Sequence, residues 1–215
     1  MHKSAFITFE GGEGSGKTSV LKKIESYLQA LGYKTLATRA PGGTSLGAQI
    51  RELLLHKEKI QLCKKAELFL FLSDRAQHVQ ELVLPALKEN KVVLCDRFND
   101  STIAYQGAAR NEQLSFIENL CEYAVDELKP DLTFYLDIDP SVGLIRAKKA
   151  IKEQGKATYD RMENEALAFH QRVRECYLKL VQKEPHRFIV LDASMPLEQV
   201  VSLAIQKLSI WMEKL

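Results

Sequence analysis

The stretch Gly11-Gly-Glu-Gly-Ser-Gly-Lys-Thr18 constrains this chain more than any other, because it satisfies G-x-x-x-x-G-K-[ST] between a strand and a helix. Ala5–Phe9 is a short apolar run that reads as a buried strand. Beyond the motif, Val20, Leu21, Ile24 and Leu28 share one face of a helix expected over Ser19–Leu28. Strand, glycine turn and helix make a phosphate-cradling loop. Gly11, Gly12, Gly14 and Gly16 allow positive φ and close backbone approach. Loop N–H groups and the helix N-terminus then direct partial positive charge at phosphates. Lys17 adds a full charge near the β- and γ-phosphates, and the Thr18 hydroxyl is placed for Mg2+. The whole loop, Gly11, Gly12, Glu13, Gly14, Ser15, Gly16, Lys17 and Thr18, is therefore the candidate ATP site.

Onward from the loop, strand and helix alternate. Gly32 is a helix stop signal, and Tyr33–Thr38 reads as a strand. Arg39-Ala-Pro-Gly-Gly-Thr44 is a loop by its Pro-Gly-Gly core. Helices are expected over Leu46–Leu55, over Ala66–Leu87 with a bend before Pro85, and over Leu114–Leu128. Lys91–Asp96 and Leu132–Ile138 read as strands. A helix from Pro140 to about Lys152 breaks at Glu153-Gln-Gly-Lys156 and resumes over Asp160–Lys183. Arg187–Asp192 is the last strand, and Pro196 starts an amphipathic helix that reaches Leu215. Such alternation implies a single α/β domain, a parallel sheet with helices on both faces. Sites in that class lie at the carboxyl ends of the strands, where the glycine loop, the Arg39–Thr44 loop, Asp96-Arg97 and Asp192 all fall.

Composition narrows the chemistry. A net charge of +2 over 215 residues gives no reason to expect nucleic-acid binding. Cys63, Cys95, Cys121 and Cys176 are widely spaced, as in a cytoplasmic protein with reduced thiols rather than one with a disulfide frame or zinc site. The first strand begins too early to leave room for a signal peptide, and no apolar run is long enough for a bilayer span. Asp96 ends four apolar residues and fits a carboxylate that holds Mg2+ directly or through water, although it also suits a turn cap. Arg97 beside it faces the opposite electrostatic task. With Arg39, Arg51 and Arg75 it suggests a second, phosphate-bearing substrate, since guanidinium grips phosphate in a bidentate fork.

These residues carry a family resemblance. The chain is similar to thymidylate kinases over essentially its full length. The matching pieces are Phe9–Thr18, Thr38–Gly47, Phe71-Leu-Ser-Asp-Arg75, Asp96–Gly107, Pro130–Asp137 and Asp160-Arg-Met-Glu163. The resemblance implies a three-layer P-loop NTPase fold of the nucleoside monophosphate kinase kind, with a five-stranded parallel sheet. It implies transfer of the γ-phosphoryl of ATP to dTMP with Mg2+, a lid at about 146–161, and a homodimer. It places Phe71 on the thymine ring, Arg75 at a thymine carbonyl, Thr102 at the N3 edge and Arg97 on the acceptor phosphate. Tyr105 lies against the deoxyribose with Gln106 in the same wall, and Glu13 near the 3′-hydroxyl. Ala40 departs from the Arg-Glu-Pro-Gly-Gly usual in the family. Gly14 and Ser15 leave the loop without a second cation, so Arg146, Lys148, Lys149 and Arg161 are the lid cations that could join Lys17 and Arg97 in catalysis. Another nucleoside monophosphate or deoxynucleoside kinase is an alternative. A regulatory switch is a further one, although the chain has no guanine-reading Asn-Lys-x-Asp.

Overall fold

The computed structural model describes residues 3–56, 60–153 and 161–213. Five parallel strands run in the order β2-β3-β1-β4-β5, with β1 Ala5–Gly11, β2 Thr35–Arg39, β3 Val92–Asp96, β4 Leu132–Asp137 and β5 Phe188–Asp192. β1 is central and buried along its whole length, which is why its sequence is apolar rather than alternating. Its odd residues Ala5, Ile7 and Phe9 join a core with α1 (Lys17–Ala30) and α9 (Leu197–Met212). Phe6, on the opposite face, packs with Val79, Val83, Val93 and Phe98. Glu10 shares that second face by the two-residue strand period.

Several elements differ from the sequence expectation. The helix expected to bend before Pro85 is α3 (Lys64–His78), a π-helical stretch Val79–Val83 and α4 (Leu84–Lys88). Pro85 has no N–H to continue the ladder, and the wider turn ahead of it takes up the mismatch. α2 (Ser45–Arg51) likewise widens into a π turn at Glu52–His56. α6 (Leu114–Ala124) stops short of Leu128, because Asp126 and Glu127 adopt left-handed φ of 49° and 60°. α8 (Leu167–Lys183) begins later than Asp160, and residues 161–164 form a turn. The largest omission is the helical run α5 (Asn99–Thr102) continuing as a π-helix over Ile103–Ala108, which the sequence pattern left unassigned. Thr102, Tyr105 and Gln106 all lie on it. The expected lid begins on α7 (Pro140–Glu153); residues 154–160 of it lie outside the described residues. Among the described residues no helix is long and apolar enough to cross a membrane.

α7 meets the glycine loop backbone to backbone. A Cβ on Gly14 would strike the Gly143 carbonyl, and a Cβ on Gly143 would strike the Glu13 carbonyl. Neither backbone can yield without moving a helix or the loop. Gly143→Ala should therefore destabilise the protein by about 1–3 kcal/mol. The check is thermal unfolding, where each kcal/mol lowers Tm by roughly 2–4 °C at this size. Gly12→Ala is the control: a Cβ there meets nothing within 4 Å, and Tm should stay in place.

Candidate active site

The carboxyl ends of β1, β2 and β3, the starts of α1 and α5, and one face of α7 enclose an open cleft of about 730 Å3. Glu13, Gly14, Gly16, Lys17 and Thr18 form one wall. Gly16 enters α1 at φ 89°, a left-handed value that suits glycine, and the loop amides follow it into the helix N-terminus. Gly11, Gly12 and Ser15 brace the loop from beneath, with Ser15 Oγ donating to the Gly12 carbonyl at 2.9 Å. Lys17 Nζ donates to the Gly11 and Gly12 carbonyls at 3.1 and 2.7 Å. Burial and the Arg97 charge pull the Lys17 ammonium down to about 8, against the carboxylates of Glu13 and Asp96. Thr18 Oγ1 donates to Asp96 Oδ2 at 2.7 Å, joining the first turn of α1 to the end of β3. A hydroxyl and one carboxylate, both hard oxygen donors, fit Mg2+, which takes one or two protein ligands and completes its shell with water and phosphate.

The residues expected to form a second substrate site lie on the opposite wall. Arg39, Arg51, Phe71, Arg75, Arg97, Thr102, Tyr105 and Gln106 all line the same cleft as Glu13 and Lys17. Arg97 is the junction. It sits at φ 69°, uncommon for a non-glycine residue, and this turns its side chain back over the loop. Its guanidinium donates to the Gly11 carbonyl at 3.0 Å, to Ser101 Oγ at 3.2 Å and to Glu13 Oε1 at 2.7 Å. Tyr105 donates its hydroxyl to the same Glu13 oxygen at 2.8 Å, and Arg97 lies 4.9 Å from the Tyr105 ring centroid. Arg75 is only 1% exposed, with Nε and Nη1 lacking a hydrogen-bond partner among the described residues. Its guanidinium stacks 4.7 Å over the Phe98 ring.

The thymidylate kinase family model matches residues 9–204. The chain belongs to the thymidylate kinase family. It is 48% identical over 206 residues to the thymidylate kinase of Protochlamydia amoebophila, covering 95% of this chain and 92% of that protein. Identity to the thymidylate kinase of Clostridium novyi is 45% over 200 residues, covering 93% and 96%. The crystal structure of thymidylate kinase from Ehrlichia chaffeensis superposes with a TM-score of 0.77 at 34% identity, covering 96% and 99%.

The expected lid cations are placed differently from the loop and acceptor residues. α7 turns Ala147, Ala150 and Ile151 to the cleft. Arg146 donates instead to the Ala193 and Ser194 carbonyls at 2.6 and 3.0 Å, beyond the end of β5. Lys149 is exposed and lies 3.9 Å from Glu153. Arg161 reaches the Leu54 carbonyl at 3.1 Å and Glu67 Oε2 at 2.7 Å. These three side chains thus address a loop, solvent and a buried carboxylate.

Sequence reasoning passed over the buried polar residues that hold the walls. Asp74 Oδ1 accepts from the Gly42 N–H at 2.9 Å, and His78 Nε2 pairs with Thr38 Oγ1 at 2.8 Å, so α3 anchors the Arg39–Thr44 loop at its entry and at its middle. Burial and the neighbouring Arg75 charge push His78 down to about 4, so it is neutral at pH 7. Ala40, where the family usually has Glu, is buried against Phe6, Val79 and Phe98. The available signal was phase: Glu67, Asp74 and His78 fall among the buried residues of α3 with Leu68, Phe71 and Leu72. A charged residue in an apolar phase is informative because such groups are rarely buried without partners.

Glu13 yields a pH prediction. Burial raises its pKa, but Arg97, Lys17 and the Tyr105 hydroxyl outweigh that and hold it at about 2. A depressed folded-state pKa contributes stability above the unfolded value, near 4.5, that is lost as pH falls toward 2. The contribution at neutral pH is on the order of 3 kcal/mol. Glu13→Gln should be less stable than wild type at pH 7, and the gap in urea unfolding free energy should narrow steadily between pH 4.5 and pH 2. A constant gap across that range would show that the Glu13 charge does not stabilise the fold.

Proposed function

We infer that this chain transfers the γ-phosphoryl group of ATP to dTMP, giving dTDP and ADP, with Mg2+ held by Thr18 and Asp96. The observation that carries the reading is the meeting of two anion-binding walls in one cleft: the glycine loop with Lys17, and the wall of Arg97, Phe71, Arg75, Thr102, Tyr105 and Gln106. The nucleophile would be an acceptor phosphate oxygen, already ionised near neutral pH, so the residues need not supply a base. Their work is positioning and neutralisation of charge. Lys17 meets the donor phosphates, and Mg2+, when held by Thr18 and Asp96, would neutralise part of their negative charge. Arg97 would exchange part of its hold on Glu13 for the acceptor phosphate. Phe71 offers the base an apolar face, and Tyr105 fills the space beside the sugar, which favours deoxyribose. Arg39 and Arg51 flank the acceptor end of the cleft. Arg146, Lys149 and Arg161 would reach the phosphates only after leaving their present partners.

The test is direct. Purified protein with ATP, dTMP and Mg2+ should yield dTDP and ADP in equal amounts, and EDTA should abolish the product. Lys17→Met should lower kcat by at least about 100-fold while circular dichroism stays native, since Lys17 meets charge that grows in the transition state. ADP release without dTDP would instead favour a hydrolase or switch.

We also propose that the chain acts as a homodimer through α3 and α6. These helices pack side by side and carry Phe69, Phe116 and Tyr123 at 55%, 56% and 85% exposure. Large exposed aromatics on adjoining helices are the kind of apolar surface that association covers. Sedimentation equilibrium should give twice the 24.4 kDa chain mass. The double substitution Phe69→Glu with Phe116→Glu should return the monomer; a monomeric wild type would sink the assignment.

A further inference from the structure

Glu67 lies on α3 outside the set of residues that touch the cleft, yet it is 1% exposed and surrounded by donors. Its Oε1 accepts from Gln106 Nε2 at 3.0 Å and from Arg110 Nε at 3.4 Å. Its Oε2 accepts from Arg110 Nη2 at 3.1 Å and from Arg161 Nη2 at 2.7 Å. Arg110 is itself anchored by Glu165 at 2.7 Å, and Arg161 by the Leu54 carbonyl. The carboxylate is therefore held from several elements and cannot rotate away from Gln106.

This has a chemical consequence for Gln106, which is 3% exposed and lines the cleft. A side-chain amide normally reads either polarity, because rotation by a half-turn exchanges its oxygen and its NH2. Opposite a carboxylate only the NH2 can face inward, so the oxygen is the group left to meet a ligand. Thr102 on the same helix cannot discriminate in this way, since a hydroxyl both donates and accepts. Arg75, which lines the same cleft, supplies the complementary polarity, because a guanidinium carries donors only. One acceptor and one donor set on the same wall match a pyrimidine edge with a ring N–H beside a carbonyl. Cytosine presents the inverse, an exocyclic NH2 beside an unprotonated ring nitrogen.

We propose that Glu67 is the positioning residue for base selection: it locks the Gln106 amide with its oxygen toward the cleft, so that the site takes a thymine-type base and rejects cytosine. This rests on the nucleotide-acceptor reading above and adds to it the residue that sets the polarity of the base contact. A locked amide matters more than a free one because the wrong base would leave buried polar groups on both sides unpaired.

The experiment is isothermal titration of dTMP and of dCMP, each against wild type, Glu67→Asp, Gln106→Met and the double variant. Glu67→Asp keeps the negative charge for Arg110 and Arg161 but draws the carboxylate back from Gln106. Wild type should bind dTMP far better than dCMP. Glu67→Asp should lower that ratio about tenfold, chiefly by weakening dTMP, with ATP affinity unchanged. Gln106→Met should lower it as far, and the double variant no further, because both changes remove one contact. A merely structural role for Glu67 would weaken both ligands in proportion. If Glu67→Asp fails to fold, an unchanged ratio in folded Gln106→Met overturns the proposal by itself. An unchanged ratio in Glu67→Asp, or additive losses in the double variant, overturns it too. A wild type that prefers dTMP but makes no dTDP would overturn the phosphotransfer reading and leave this one standing.

Discussion

The Glu10 carboxylate is the interaction on which both halves of the site depend. It is fully buried at the end of β1, one residue before the glycine loop. Its Oε1 accepts from the Phe98 N–H at 2.6 Å, and its Oε2 from Ser101 Oγ and Tyr177 OH at 2.6 and 2.7 Å. Burial pushes its pKa up and the Asp100 charge adds to that, while the hydrogen bonds and Arg97 oppose them. The carboxylate lies at the start of the helical run that bears Thr102, Tyr105 and Gln106, where negative charge suits the helix dipole. α5 has no side-chain cap of its own at Phe98. Glu10 supplies that cap from the central strand. The glycine loop and the helical run over Asn99–Ala108 thus share one anchor, and neither can shift without the other.

Around that anchor the site tolerates local strain. Arg97 is held in the left-handed region at a cost of about 1–3 kcal/mol. Its N–H donates to the Phe9 carbonyl at 3.0 Å, and its own carbonyl accepts from the Cys95 thiol at 3.1 Å. With three side-chain bonds added, the surroundings over-determine the conformation, and the guanidinium is aimed before any ligand arrives. The glycine contact between the loop and α7 has the same character, since backbone that touches backbone cannot drift.

The remaining arginines show how similar residues are sorted by their surroundings. Arg187 makes a bidentate pair with Asp100 at 2.8 and 3.0 Å, tying the start of β5 to α5. Arg174 grips Asp137 in the same way at 2.7 and 2.9 Å and holds α8 against the end of β4. Arg110 and Arg161 converge on Glu67. By contrast Arg75, which has no ion pair among the described residues, and Arg97, whose Glu13 partner is shared with Tyr105, both line the cleft. Charge balance within the walls, rather than the number of cations, decides which of them line the cleft.

By itself the sequence determined what depends on near neighbours along the chain. The glycine loop, the buried strands around it, the Pro-Gly-Gly turn and the parallel α/β order follow from local φ/ψ demands and from hydrophobic period. Family likeness then named the wall residues one by one, and they line one cleft. The helical run over Asn99–Ala108 escaped notice because its start is capped in trans by Glu10, 88 residues away, and because it widens into π turns that no 3.6-residue period describes. Tertiary structure alone decided where Arg146 and Arg161 point, which way the Gln106 amide is turned, and that Glu10 and Glu67 matter at all. The physical reason is common to these cases. A long polar side chain is directed by the partner that satisfies it, and these partners lie 39 to 167 residues away in sequence, brought within hydrogen-bond reach only by the packed sheet and helices.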